Sequence, residues 1–93
     1  MRICTLDGME IRDRGQLHDA LASSLSFPEW YGRNLDALFD CLTDMREDTE
    51  IRILHRDALI ESLGGYAKAL EKVLQEAAEA NPRVEVAGCE KMF

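Results

Sequence analysis

The chain alternates short apolar segments with pairs of helical patterns, and this order is the strongest constraint on its fold. Candidate strands lie at residues 2–6, 50–55 and 84–87, where apolar and polar side chains alternate. Each interval between them holds two segments with apolar residues spaced three or four positions apart. Strands joined by helical crossovers favour a parallel sheet. We therefore predict an α/β fold with a three-stranded parallel sheet and four helices, in the order β-α-α-β-α-α-β.

Residues with known preferences for helix ends mark the predicted boundaries. Asp13, followed three positions later by Gln16, is typical of a capping box at a helix start. Asn34 is expected to cap the second helix with its side-chain oxygen. Residues 64–65 are both glycine and end the third helix, and Asn81 with the following proline ends the fourth. Because three strands cannot cover four helices on both faces, we expect two layers, with the helices mostly on one side.

Composition limits the classes of partner. The sequence has 11 Lys and Arg against 18 Asp and Glu, a net charge of −7, and a pI near 4.7. Such a surface repels phosphate, so we predict no direct binding of nucleic acid or anionic membranes, and it attracts basic proteins. The N-terminus lacks the apolar core of a signal peptide, and no segment is long enough to span a membrane. We therefore expect a cytoplasmic protein, with residues 1–93 forming one domain that is monomeric alone.

The three cysteines do not form a recognisable framework. Cys4, Cys41 and Cys89 are odd in number and lack a C-x-x-C spacing, which argues against zinc and against a set of disulfides. We expect them to be reduced and mostly buried.

The second predicted helix carries an unusual row of acids. Asp36, Asp40 and Asp44 recur every four residues beside an apolar stripe, and no Lys or Arg lies three or four positions from them inside the helix. Like charges at this spacing destabilise a free helix by roughly 0.2–0.5 kcal/mol per pair. A helix selected only for stability would carry a lysine among them. The row therefore indicates a surface for a cationic partner, although a solvated helix face would show the same pattern.

Aromatic residues lie next to these acids. Trp30 and Tyr31 lie in the turn before the helix, and Phe39 lies at the edge of its apolar stripe. Aromatic anchors beside charges are typical of the energetic centre of a protein interface. Packing into the core is the alternative for all three, and the sequence leaves it open.

An enzymatic function has little support. Asp36 and Asp40 lie one helical turn apart, close enough to share a metal or divide acid and base roles. His18 and His55 have no partner at a ligand-like spacing, and we expect ordinary surface or core-edge positions for both. The sequence contains no nucleophile elbow, phosphate-binding loop, dinucleotide fingerprint or H-E-x-x-H motif. We therefore predict no enzyme, with no catalytic residue, metal site or cofactor.

Residues 25–44, LSFPEWYGRNLDALFDCLTD, resemble the barstar family, the intracellular inhibitors of small secreted bacterial ribonucleases. A weaker resemblance covers residues 7–12, 17–18 and 73–77. The resemblance to this family implies three parallel strands, four helices and tight non-covalent blocking of a nuclease active site. Within one run that has no gap, the residues that stand as the family has them are Pro28, Glu29, Tyr31, Gly32, Asn34, Leu35, Asp36, Ala37, Leu38, Asp40, Cys41, Leu42 and Thr43.

The resemblance also implies roles for individual residues. Asp40 matches the carboxylate that occupies the phosphate site of the enzyme, and Asp36 matches a second charged contact. Trp30 matches an aromatic that packs on a catalytic histidine. Trp30, Phe39 and Asp44 differ from the residues of the best-known member, which suggests a partner with a different contact surface. The full set of predicted partner-binding residues is Trp30, Tyr31, Gly32, Asn34, Leu35, Asp36, Phe39, Asp40, Thr43, Asp44 and Glu76.

The expected partner is a basic secreted ribonuclease. An immunity-type or binding module for a different basic protein or toxin remains the alternative, because the same acidic surface would serve it.

Overall fold

The elements follow the predicted order. The computed structural model describes residues 1–87, so Cys89 and the rest of the C-terminal tail lie outside the described residues. The elements are β1 (Arg2–Asp7), α1 (Arg14–Leu25), α2 (Leu35–Thr43), β2 (Thr49–Leu54), α3 (Arg56–Leu63), α4 (Gly65–Ala80) and β3 (Val84–Ala87). The prediction of a β-α-α-β-α-α-β chain with four helices is confirmed.

The sheet is parallel and has one buried face. Its strand order is β1-β2-β3, with Cys4 opposite Ile51 and Ile51 opposite Val86. Cys4, Leu6, Ile51 and Ile53 are buried, whereas the residues between them on the same strands are mostly exposed. This alternation follows from the two-residue period of a strand. The prediction of a two-layer arrangement is confirmed, because the helices supply the apolar side chains that cover the inner face.

The predicted caps fix where two helices begin. The Asp13 carboxylate accepts the Gln16 amide at 2.8 Å, and the Gln16 side chain accepts the Arg12 amide at 2.7 Å. The Asn34 side chain accepts the Ala37 amide at 2.8 Å at the start of α2. These bonds satisfy amides that the first helical turn leaves without an intrahelical partner. They also fix the direction in which the chain enters α1 and α2.

The core holds α2 in place along its length. Leu38 and Leu42 are fully buried, and α2 packs against α4. Asn81 follows α4, and its side-chain amide donates to the carbonyl oxygens of Leu42 at 2.9 Å and Met45 at 3.0 Å. These contacts satisfy carbonyls at the C-terminal end of α2. The helix is therefore held both by apolar burial and by polar contacts at its ends.

No helix in residues 1–87 is both long and apolar enough to cross a membrane.

Candidate protein-binding surface

Helix α2 has an inner and an outer face of opposite character. Leu38 and Leu42 are completely buried on the inner face. Asp36, Asp40 and Asp44, the acidic row, are all exposed. Four residues of an α-helix span about 6 Å along its axis, so the three carboxylates recur at about that interval. The structure therefore presents a line of negative charge on a helix whose opposite side is fixed by the core.

The acidic row has no internal counter-charge. None of its three carboxylates forms an ion pair with a Lys or Arg of residues 1–87. Arg33, the cation next to α2 in sequence, is held by α1, because it donates to Asp19 at 2.7 Å and to the Gly15 carbonyl at 3.0 Å. The row is thus left free for cations from outside the described chain.

The acidic row also acts on the cysteine between its members. Cys41 is half-buried on α2. Burial raises the pKa of its thiol, and the negative charges of Asp40 and Asp44 raise it further. The side chain therefore stays a neutral thiol near pH 7, which makes it a poor nucleophile.

Residues 26–34, the Trp30 loop, lead into α2 and expose one large aromatic. The Trp30 side chain is 81% exposed, more than any other large apolar side chain of residues 1–87. Phe39 is half-buried and packs against the core. Of the alternatives that the sequence leaves open, the structure therefore places Trp30 at the surface and Phe39 at the border of the core.

For Tyr31, the structure selects the other alternative that the sequence leaves open, which is packing into the core. Only 6% of Tyr31 is exposed. Its ring centroid lies 4.8 Å from that of Phe27, and its hydroxyl lies 2.7 Å from Nδ1 of His18. The turn in the loop directs Tyr31 inward while Trp30 points outward. What Tyr31 offers a partner is therefore limited to its backbone and its effect on the loop.

His18 is the residue that the sequence interpretation missed. The expectation of a surface or core-edge position is wrong, because His18 is 2% exposed. Its Nδ1 lies 2.7 Å from the Tyr31 hydroxyl and its Nε2 lies 2.8 Å from the Tyr66 hydroxyl. One signal was available: His18 precedes Leu21 by three residues and Leu25 by seven, which places it on the buried stripe of α1.

The remaining predicted contact residues surround the acidic row. Gly32 is exposed, and a Cβ there would lie 3.2 Å from the Ala37 Cβ, so a side chain would press on α2. Leu35 is half-buried, and the Thr43 hydroxyl donates to the Phe39 carbonyl at 3.0 Å. Glu76 is exposed on α4, which packs against α2. Each predicted partner-binding residue other than Tyr31 is thus at least partly accessible or helps to shape the loop and helix.

An open hollow adjoins the start of α2. It has a volume of about 310 Å³ and is lined by Arg14, Arg33, Asn34, Leu35, Asp36 and Tyr66.

Within residues 1–87, no group of three or more His, Cys, Asp or Glu side chains is arranged to hold a metal ion. An exposed aromatic, a charged helix and a shaped loop are features that protein-binding faces often combine.

Comparison with known proteins identifies the family of the chain. The family model described as "Barstar (barnase inhibitor)" matches residues 1–88. A Bacillus subtilis (strain 168) protein named "Putative ribonuclease inhibitor YrdF" is 41% identical over 80 residues, which cover 85% of this chain and 88% of that protein. With a match along nearly the whole sequence and the parallel three-stranded fold described above, the chain belongs to the barstar family.

Proposed function

We propose that this protein inhibits a small basic ribonuclease by covering the enzyme's active site with α2 and the Trp30 loop. The observation that carries the proposal is the acidic row, three exposed carboxylates without a counter-charge among residues 1–87, beside a Trp side chain that is 81% exposed. Membership in a family described as a barnase inhibitor supports the ribonuclease as the class of target.

Electrostatics explains why an acidic helix suits such a target. A ribonuclease binds phosphate with basic side chains, which repel one another when the site is empty. Carboxylates fixed along a helix replace the phosphates as hydrogen-bond acceptors for Arg and Lys. Opposite potentials also accelerate the encounter of the two proteins. In the proposed complex, Asp40 occupies the centre of the basic site, and Asp36 binds a neighbouring cation.

The Trp30 side chain supplies the apolar part of the interface. An aromatic ring with most of its surface accessible gains free energy when a partner covers it, and Trp is among the residues that most often dominate binding. The loop that carries Trp30 leads directly into the acidic helix, because it ends at the Asn34 cap of α2. We propose that Trp30 packs on a side chain at the rim of the active site.

The proposal extends to the other predicted contacts and to the setting. Gly32, Asn34, Leu35, Phe39, Thr43, Asp44 and Glu76 complete the proposed binding face. The protein acts as an inhibitor and not as an enzyme, and it is proposed to act as a monomer in the cytoplasm. There it would protect the RNA of the producing cell before the ribonuclease is secreted.

Asp40→Asn tests the proposal directly. This change removes one charge and keeps the shape of the side chain, so we expect the dissociation constant for the ribonuclease to rise roughly 30- to 1,000-fold, as for charged residues at the centre of an interface. Glu61→Gln is the matched control, because Glu61 is an exposed acid on α3, outside the proposed face. It should change the dissociation constant by less than about twofold. Inhibition of RNA cleavage and surface plasmon resonance provide the measurements.

The identity of the target requires capture of the partner. A column of immobilised parent protein should retain a basic protein that degrades RNA. A parallel column of the Asp40→Asn variant, washed in the same way, should lose that protein because the variant lacks the Asp40 charge. A captured basic protein without RNA-cleaving activity would overturn the ribonuclease assignment and support the alternative of a module for another toxin. Equal affinity of parent and variant for a ribonuclease would overturn the proposed binding mode.

A further inference from the structure

Two hydrogen bonds through the buried His18 tie the Trp30 loop to two helices. His18 of α1 lies between the hydroxyl of Tyr31 in the loop, at 2.7 Å, and the hydroxyl of Tyr66 at the start of α4, at 2.8 Å. Only 2% of His18 and 6% of Tyr31 are exposed. Buried polar groups contribute most when every member has a partner, and here one imidazole uses both ring nitrogens.

The loop needs such a tether because its backbone is strained. Ser26 and Arg33, at its two ends, have φ values of 55° and 58°. Left-handed conformations of residues other than glycine are costly and persist only where the surroundings impose them. Arg33 is fixed by its bonds to Asp19 and Gly15. The bond from His18 to Tyr31 fixes the middle of the loop, one residue from Trp30.

We propose that His18 is a positioning residue for the Trp30 loop: its uncharged imidazole fastens Tyr31 to Tyr66, so that the loop is held for binding at neutral pH and loosened in mild acid. The relevance of the loop to a ribonuclease rests on the proposed function. The tether itself does not, since it is a property of the free protein.

The uncharged form is the one that the hydrogen bonds require. A neutral imidazole donates one N–H and accepts at its other nitrogen, so one tyrosine hydroxyl accepts while the other donates. In the protonated form both nitrogens donate, and both hydroxyls must accept. The hydroxyl that formerly donated to the imidazole then loses that acceptor, and an ionic charge is enclosed in the core.

The surroundings of His18 also favour its uncharged form overall. Burial lowers the pKa of His18, the Arg33 charge lowers it further, and the Asp19 charge opposes both. Asp19 is already paired with Arg33 at 2.7 Å, which offsets its attraction for a second cation. The Arg14 guanidinium lies 4.1 Å from the centroid of the Tyr66 ring. The titratable and charged groups around the tether are thus Asp19 and Arg14 of α1, Arg33 and Tyr31 of the loop, Tyr66 of α4, and Cys41 of α2, which faces Tyr31.

Tyr66→Phe in the free protein gives the first test. The change removes one hydroxyl of the tether and keeps the ring. The Tyr31 amide donates to the Pro28 carbonyl at 3.0 Å, so its hydrogen exchange reports on the closed loop. At neutral pH we expect exchange at Tyr31 to become roughly fivefold faster, the factor for one neutral hydrogen bond. Ile60→Val on α3 is the control, because it trims a half-buried core side chain away from the loop and should leave this amide unchanged.

The pH profile separates positioning from a purely structural role. Trp30 is the one tryptophan of the sequence, so its fluorescence anisotropy follows the loop. Between pH 7.5 and pH 5 the parent should lose anisotropy in one transition, and His18→Gln should show a low, flat profile. If His18→Gln does not fold, Tyr66→Phe still decides, because its loosened loop should show a smaller transition than the parent.

The same variants connect the tether to binding. With the ribonuclease at pH 7.5, Tyr66→Phe should dissociate roughly fivefold faster than the parent, and the ratio should approach one in mild acid, where the tether of the parent is also released. Unchanged Tyr31 exchange together with a parent-like pH profile in Tyr66→Phe would overturn the inference. A parent protein that inhibits no ribonuclease would overturn the proposed function, while the exchange result would still decide the tether.

Discussion

The acids of α2 differ from Glu71 of α4 in whether the chain itself supplies a cation for them. Glu71 on α4 accepts two hydrogen bonds from Arg56, at 2.6 and 3.0 Å. Asp36, Asp40 and Asp44 on α2 have no such partner among residues 1–87. The chain does not lack cations, because arginines pair with carboxylates in β1, β2, α3 and the segment before β3. Exposed acids such as Glu61 and Glu79 also lack an ion pair among residues 1–87, so the distinguishing feature of α2 is that three such carboxylates recur at a regular interval along one helix.

A similar contrast exists within α2 itself. Its inner leucines are fully buried, and its outer acids are exposed. Burial of a leucine contributes about 1.5–3 kcal/mol to stability, several times the repulsion between neighbouring acids. The core can therefore maintain the helix despite the repulsion along its outer face. With the proposed function, stability and binding lie on opposite sides of one short helix, and the following predictions test that separation.

The largest expected effect is on the inner face. Leu38→Ala should lower the free energy of unfolding by about 2–5 kcal/mol, because it removes buried methyl groups and leaves a cavity. Urea denaturation followed by circular dichroism measures the change. Leu54→Ala is the control, since Leu54 is 43% exposed on the outer face of the sheet, and it should cost less than about 1 kcal/mol. Equal losses at the two sites would contradict the described packing of α2.

A smaller effect is expected where an acid is paired. Glu71→Gln should lower the free energy of unfolding by about 1 kcal/mol, because the charge that Arg56 binds is lost while solvent at the partly exposed guanidinium screens the pair. The affinity of the Glu71→Gln variant for the ribonuclease should equal that of the parent, whereas the affinity of Asp40→Asn should fall. Glu79→Gln, at an exposed acid of the same helix, should change neither quantity. Weakened binding in Glu71→Gln would show that the two regions are not independent.

The smallest effect concerns the row itself, and its sign is opposite. Asp44→Asn should raise the free energy of unfolding by about 0.5 kcal/mol, because it removes repulsion with Asp40 and an unfavourable charge at the C-terminal end of the helix. Asp36→Asn should give almost no gain, since the favourable dipole interaction at the N-terminal end is lost as well. Thermal denaturation of the two variants and the parent, at low ionic strength, compares them. A stabilisation by Asp36→Asn equal to that of Asp44→Asn would contradict the dipole argument.

Much of the fold was predictable because its signals are local. The caps at Asp13 and Asn34 each depend on a hydrogen bond across three residues. The apolar stripes repeat within one or two helical turns, and the alternation of the strands has a period of two. Interactions of this range are encoded in neighbouring letters of the sequence. The acidic row was found for the same reason, since its spacing and the absence of a nearby cation within the helix are visible without any tertiary contact.

The Trp30 loop shows where this information ends. Trp30 and Tyr31 are adjacent aromatics in a turn, and neither helical nor strand periodicity assigns a direction to their side chains. The structure exposes Trp30 and buries Tyr31. His18, 13 residues before Tyr31, forms a hydrogen bond with the Tyr31 hydroxyl, and Tyr66, 48 residues from His18, forms one with the other imidazole nitrogen.

The sequence by itself thus determined the order of the elements, the helix caps, the apolar stripes and the line of carboxylates. Only the tertiary structure decided which aromatic of the loop faces solvent and that a histidine of α1 holds the other. The physical reason is the range of the interactions. Backbone hydrogen bonding and periodic burial act between near neighbours, whereas the direction of a side chain in a loop depends on groups that folding brings together from distant parts of the chain.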